Sequence, residues 1–346
     1  MRTPLLLATG LTTIAILSGA AAPSSAVTTR AEPVTLKYSW SPDRPLLYRL
    51  TQQTDADMSG VPGQGDVHLS QSQTMRLRLH VANVAPDGAA TIRTTVEAVQ
   101  FEMTPPAGEK VEYDSEAGQG LAPDPGEERH PAATAMAAFV GESFTFEIAP
   151  DGDVRNVQGM DAILRKISDQ VGDPAMEEMF RGKFADSAME SMLEQAFKLL
   201  PDRPVEAGET WQTSLDQTVP SLGTLRIENT MTFERAEPAD GGGQIARIPI
   251  TISTTLDRTG VDDSELPEGT TISLEDSAGR GLLAFDIDRG ELKLLEMTSR
   301  LPMRLTMTMG DEEVNIKQDV TSTVKFERLD QPSQPRPAPD APPADD

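Results

Sequence analysis

Hydrophobic and polar residues alternate with a period of two along most of the chain. Met75, Leu77, Leu79 and Val81 alternate with Thr74, Arg76, Arg78 and His80. Leu225, Ile227, Met231 and Phe233 alternate with Thr224, Arg226, Thr230 and Thr232. Ala246, Ile248, Ile250 and Ile252 share a face, as do Phe144, Phe146 and Ile148. Met303, Leu305, Met307 and Met309 form another such row, and Val314, Ile316, Val320, Val324 and Phe326 a last one. The pattern predicts antiparallel strands with one buried and one wet face, since parallel strands buried on both faces would read as continuous apolar runs. Pro249 lacks an N–H to donate, so within its strand it predicts an edge or a bulge.

Between residues 159 and 200 the period changes to that of a helix. One helix is expected near Gly159, carrying Ile163, Leu164 and Ile167. A second follows Asp173 and Pro174, an N-cap acid and a first-turn proline, with Met176, Met179, Phe180 and Phe184 on one stripe. A third opens at Ser187–Glu190, a capping-box pattern. Its stripe is Met189, Met192, Leu193, Ala196, Phe197 and Leu200, and Pro201 ends it. A short alanine-rich helix is expected at Pro131–Phe139.

The order of elements repeats. Pro42–Pro45 and Pro201–Pro204 are the same four residues, and each precedes a strand block. Each block contains a long hairpin, turning at Pro86–Gly88 and Pro238–Gly241, and then a short one, Phe144–Gly152 and Leu283–Gly290. A duplication accounts for this order. The expected fold is mainly β (α+β): duplicated curved antiparallel sheets, or half-barrels, packed with a few central helices whose apolar stripes cover the sheet. The boundaries that follow are a first β repeat over 27–158, with a mobile insertion at about 102–130 rich in proline, glycine and acids, central helices over 159–200, and a second β repeat over 201–329. Residues 330–346 hold six prolines and four aspartates with no apolar run, and read as a disordered tail.

The ends and the composition add a compartment. Arg2, the apolar run Leu5–Leu17 and the small residues Ser24–Ala26 have the order of a secretory signal over 1–26, too short to span a bilayer. The expectation is an exported protein, periplasmic or extracellular, with no transmembrane span in the mature chain. There is no cysteine, so neither disulfides nor a lipid anchor enter. Thirty basic residues against 55 acidic ones give a net charge of −25. Such a field repels nucleic acid and anionic membrane surfaces and keeps the chain soluble.

The segment Leu199–Trp211 contains the string Leu-Pro-x-x-Pro-Val-x-x-Gly-x-Thr-Trp, and with Gly141–Asp161 upstream it resembles a family of exported bacterial proteins of unknown function. The resemblance covers roughly residues 34–330 and brings no activity or catalytic residues with it. Within this segment Gly208 is expected to make a turn, and Trp211 to open a strand while covering the end of the third helix.

No catalytic constellation stands out. His68, His80 and His130 are not at metal-ligand spacing, and no Gly-x-Ser-x-Gly elbow or phosphate-binding glycine loop is present. Two Trp and three Tyr leave little for an aromatic sugar platform. Asp286–Gly290 and Asp262–Glu265 lack the spacing of a calcium loop, and the first reads as a hairpin turn. The chain is therefore expected to be no enzyme and to hold no cofactor or metal. Fifteen methionines are unusual, and their flexible side chains suit either core filling or an adaptable apolar surface. Two readings follow. In one the protein binds an apolar ligand, a lipid, acyl chain or peptide, between sheet and helices, lined by Met189, Met192, Phe197, Met303 and Met307. In the other it is a structural or partner-binding protein of the cell envelope with a solid core and no ligand.

Overall fold

The alternating segments form strands, and the strands hydrogen-bond into one antiparallel sheet. The computed structural model describes residues 32–42, 44–61, 63, 65–105, 109–117, 130–171, 181, 185–219, 222–239, 242–259, 261, 270–309 and 312–329. The expected leader, the helix expected after Asp173 and the expected tail lie outside these residues. The chain divides into two units, Met1–Glu32 and Pro33–Asp346, and every described strand and helix belongs to the second.

The first strand block contains β1 (Leu46–Ser59), β2 (Val67–Val84), β3 (Ala90–Thr104), β4 (Val111–Asp114), β5 (Ser143–Ile148) and β6 (Val154–Gln158). The second contains β7 (Thr210–Val219), β8 (Gly223–Thr232), β9 (Arg235–Pro238), β10 (Gln244–Asp257), β11 (Thr271–Leu274), β12 (Ala278–Asp286), β13 (Glu291–Met309) and β14 (Glu312–Leu329). Among the described residues these make a 14-stranded sheet in the order β6-β5-β3-β2-β1-β14-β13-β12-β10-β8-β7, with β4, β9 and β11 paired beside that path. The two blocks are thus flanks of one sheet rather than two separate sheets. Each block lies as a meander, β1-β2-β3-β5-β6 and β7-β8-β10-β12-β13, and β14 joins them by pairing with β1 from Leu47↔Leu329 to Ser59↔Lys317.

Register defines the two faces. Leu50 of β1, Phe326 of β14 and Leu295 of β13 are direct neighbours and pack in the core, so their face is the inner one. Tyr48 stacks on Phe326 with ring centroids 4.4 Å apart. The core gathers at one end of the long strands, where Leu79, Ile92, Phe146, Ile248 and Phe285 also point inward. Pro249 sits inside the sheet, against Leu282 of β12. On its other side β10 pairs with β9 up to Arg247 and with β8 from Ile250, so the proline falls where the neighbouring strand is interrupted.

Three helices are described: α1 (Pro131–Ala138), α2 (Met160–Val171) and α3 (Asp186–Phe197). Proline in the first turn and the His130 ring, which accepts from Ala132 N, start α1. The capping box expected at Ser187 does not form. Instead α3 begins at Asp186, whose carboxylate accepts from Met160 N at 3.2 Å and satisfies the first amide of α2. The helices pack mainly on one another and on β3, β4 and β6. At the end of α3 the chain lies so close to the β5–β6 turn that a Cβ on Gly152 (φ +89°) would stand 2.1 Å from the Phe197 carbonyl oxygen.

The segment Val34–Trp40 crosses this end of the sheet. Val34 and Val205 exchange backbone hydrogen bonds of 2.9 Å, Tyr38 N donates to Pro150 O at 2.8 Å, and Ser39 N donates to Gly290 O at 3.0 Å. It therefore ties the β5–β6 turn to the β12–β13 turn. The expected insertion at 102–130 contains ordered structure as well: β4 pairs with the end of β3 and buries Val111 and Tyr113.

Candidate functional site

The predicted lining residues fall into two groups. Met189 and Phe197 are core residues of α3, 4% and 2% exposed, and the Phe197 ring meets those of Tyr38, Phe146 and Phe326. Met192 is 43% exposed. At 3.6 residues per turn it lies about 80° from the centre of the stripe formed by Met189, Leu193, Ala196, Phe197 and Leu200, which puts it on the rim. Met192→Gln is accordingly expected to move stability by no more than about 0.5 kcal/mol, as for an exposed position, with an unchanged urea midpoint as the check. Trp211 is half-buried against the core, and its Nε1 donates to Leu199 O at 2.9 Å, covering the end of α3 as its place in the sequence predicts.

Met303 and Met307 are elsewhere. At about 3.3 Å per residue they lie roughly 26 and 40 Å further along β13 than core residue Leu295. The structure does not bring them to the helix residues. It places them, half-buried, on the inner face of the far halves of β1, β2, β13 and β14.

Register resolves this far inner face into rows. Next to the core lie Gln73, Gln52, Val324 and Met297, and then Gln71, Thr54, Ser322 and Ser299. Beyond them come Leu69, Ala56, Val320 and Leu301, then Val67, Met58, Gln318 and Met303. Leu305 with Ile316 and Met307 with Val314 complete the tip, where Ile272 of β11 flanks Leu305. The face thus passes from the aromatic core through an uncharged polar belt to a second apolar area. No inner position from Leu50 to Met58, Val67 to Leu79, Leu295 to Met307 or Val314 to Phe326 carries a charge.

The outer face of the same strands is the reverse. Arg300 Nε meets both oxygens of Asp319 at 2.8 and 2.9 Å, Arg304 Nε meets Glu275 at 2.8 Å, and Glu327 is shared by Lys325 and Arg49. Arg300 holds the Asp319 carboxyl below its ordinary range, and Lys325 and then Arg49 do the same for Glu327. Thr298 and Thr323 bond across strands at 3.0 Å. Two open clefts lie here. One, about 480 Å³, is lined by Asp57, His68, Arg300, Pro302, Lys317 and Asp319 among others, and one of about 520 Å³ by Arg49, Thr51, Gln53, Glu296, Thr323, Lys325 and Glu327. Their charges are largely satisfied within the face, which makes this the solvated side.

A buried ionic cluster closes the core side. Glu291, at the start of β13, sits between Arg328 of β14 and Arg44 ahead of β1. Beside it the Tyr48 hydroxyl donates to Leu292 O at 2.9 Å, and burial pushes that phenol up to about 12 against the opposing pull of Arg328 and Arg44. No local motif marks this cluster, because its members are far apart in sequence. The uncharged inner belt, by contrast, is visible as Gln71, Gln73 and Thr54 standing at alternate positions where the core pattern would place aliphatics. Among the described residues no group of three or more His, Asp or Glu side chains could hold a metal ion, and no helix is long and apolar enough to cross a membrane.

The model of a family described as a family of unknown function (DUF6263) matches residues 87–260. No curated protein matches the chain. Among solved structures, one describing lipid–protein interactions in lipovitellin is similar at 12% identity and a TM-score of 0.37, over 84% of this chain and 26% of that one. The chain therefore spans about a quarter of that lipovitellin chain. DynF, from the dynemicin biosynthesis pathway of Micromonospora chersina, is similar at 9% identity, TM-score 0.17, over 85% of this chain and 90% of that one. The translocator domain of the autotransporter NalP from Neisseria meningitidis is similar at 8% identity, TM-score 0.21, over 85% and 91%. Likenesses at such TM-scores say nothing of ligand or activity.

Proposed function

We propose that this chain, which belongs to the family of unknown function DUF6263, is an exported, non-enzymatic protein that lays an acyl chain of a lipid along the far inner face of its sheet. One observation carries the reading. Past the core and its uncharged polar belt, the inner face carries a second, half-buried apolar area on four adjacent strands, while the outer face of the same strands carries ion pairs. A solid scaffold has no need of aliphatic and methionine side chains where the described helices do not pack. Methionines 58, 303 and 307 add side chains that adapt to chains of different shape. Met189 and Phe197 hold the fold, and Met303 and Met307 meet the ligand. The order of Arg2, Leu5–Leu17 and Ser24–Ala26 supports work outside the cytoplasm.

Full burial of a methylene is worth about 0.8 kcal/mol, and contact with one flat face about half of that. A chain of about sixteen carbons then gains roughly 6 kcal/mol, a dissociation constant in the tens of micromolar. The test is native mass spectrometry of gently purified protein together with titration by a fluorescent acyl probe. A co-purified lipid and saturable probe binding, weakened at least tenfold by Leu301→Glu, are expected. If fatty acids, phospholipids and a general hydrophobic dye all fail to bind saturably, the ligand reading falls and the envelope scaffold takes its place.

A further inference from the structure

We infer that the ligand of this face is an uncharged lipid, one whose polar end is an ester or hydroxyl rather than a carboxylate or phosphate; the inference rests on the acyl-binding reading above. A quarter of the chain's residues are charged, yet register places none of them on the inner positions between Leu50 and Met58, Val67 and Leu79, Leu295 and Met307, or Val314 and Phe326. An anionic head laid there would lose water and meet no cation, and the chain's net charge of −25 opposes its approach.

The belt supplies what a neutral head needs. Gln52, Thr54, Gln71, Gln73, Ser299 and Ser322 offer amide and hydroxyl donors and acceptors. Among the described residues none of the six has a side-chain hydrogen bond, whereas outer-face hydroxyls on the same strands pair with one another, as Thr51 does with Thr74 and Thr298 with Thr323. The belt lies between the aromatic core and the apolar tip. A ligand with its head at the belt extends its chain over Leu301, Met303 and Leu305 toward Met307.

Methyl oleate and oleate separate charge from chain, since they share the hydrocarbon and differ at the head. Each is titrated at pH 8 against the full-length protein preloaded with a pyrene-labelled acylglycerol, below its aggregation concentration. Methyl oleate and monooleoylglycerol are expected to displace the probe at least tenfold more tightly than oleate. Thr54→Lys and, separately, Gln71→Lys should reverse the preference, raising oleate affinity at least tenfold relative to methyl oleate. Two positions guard against one variant failing to fold, which its thermal melt reports. Oleate binding as well as its ester in the wild type, or lysine variants that fold and leave the ratio unchanged, would overturn the neutral-head assignment while acyl binding itself stood. A wild type that takes up neither the probe nor any oleoyl compound removes the acyl-binding reading and this inference together.

Discussion

Replacing Glu291 by alanine is expected to destabilise the fold by about 3–5 kcal/mol, the cost of leaving a buried charge uncompensated. The Glu291 side chain is 3% exposed and Arg328 9%. Removing the carboxylate takes away the anion that Arg328 meets and leaves its guanidinium beside the neutral Tyr48 hydroxyl, which can accept from it but cannot balance its charge. Arg44 is half-exposed and can turn to water, so the loss falls on Arg328. Urea unfolding of the variant measures it. A loss below about 1 kcal/mol, the range of exposed ion pairs, would show that Arg328 also reaches solvent. Arg328→Met combined with Glu291→Leu removes both charges, and should recover most of the loss.

Phe197→Ala is expected to cost a similar amount, about 3–5 kcal/mol, as a large-to-small change in a packed core. The ring is held between Tyr38, Phe146 and Phe326, with centroids 5.6, 6.2 and 6.1 Å away. Those partners come from the crossing segment Val34–Trp40, from β5 and from β14, so one cavity loosens three parts of the chain. Gly152 fixes the backbone at the same point, which leaves the end of α3 little freedom to collapse into the space. A midpoint shift no larger than that of Met192→Gln would show that the site refills.

Much of this was legible from local pattern. The period-two rows at 75–81, 246–252 and 314–326 became strands, and Pro131 and Gly159 stand at or beside the starts of α1 and α2. What escaped was non-local or weak. Met192 looked like core because a stripe read from spacing has no sharp edge, and the packing partners decide where its rim falls. Val111 and Tyr113 make only two apolar alternations among acids and glycines, too few to stand out as β4. The Ser187 capping box lost to Asp186, which serves a different helix. Of the candidate lining, Met303 and Met307 could be placed on one face but not at their distance from Met189 and Phe197, because that distance depends on which strands pair. Glu291 and Arg328 were invisible as a pair for the same reason.

The first and last long strands are neighbours at the middle of the sheet, and this governs how the molecule is made. β1 leaves the ribosome early and waits for β14, about 260 residues later, before one of its edges is filled. Before β14 pairs, β1 and β13 each have one unfilled edge. Loop closure over that span is slow, and unpaired edges invite strangers. The alternation of Arg49, Asp55 and Asp57 along β1 places charge on that waiting edge, a guard against wrong partners during the interval. The seam that β14 fills is also the one that Glu291, Arg328 and Arg44 bridge, so these ions fasten the sheet where its two flanks meet.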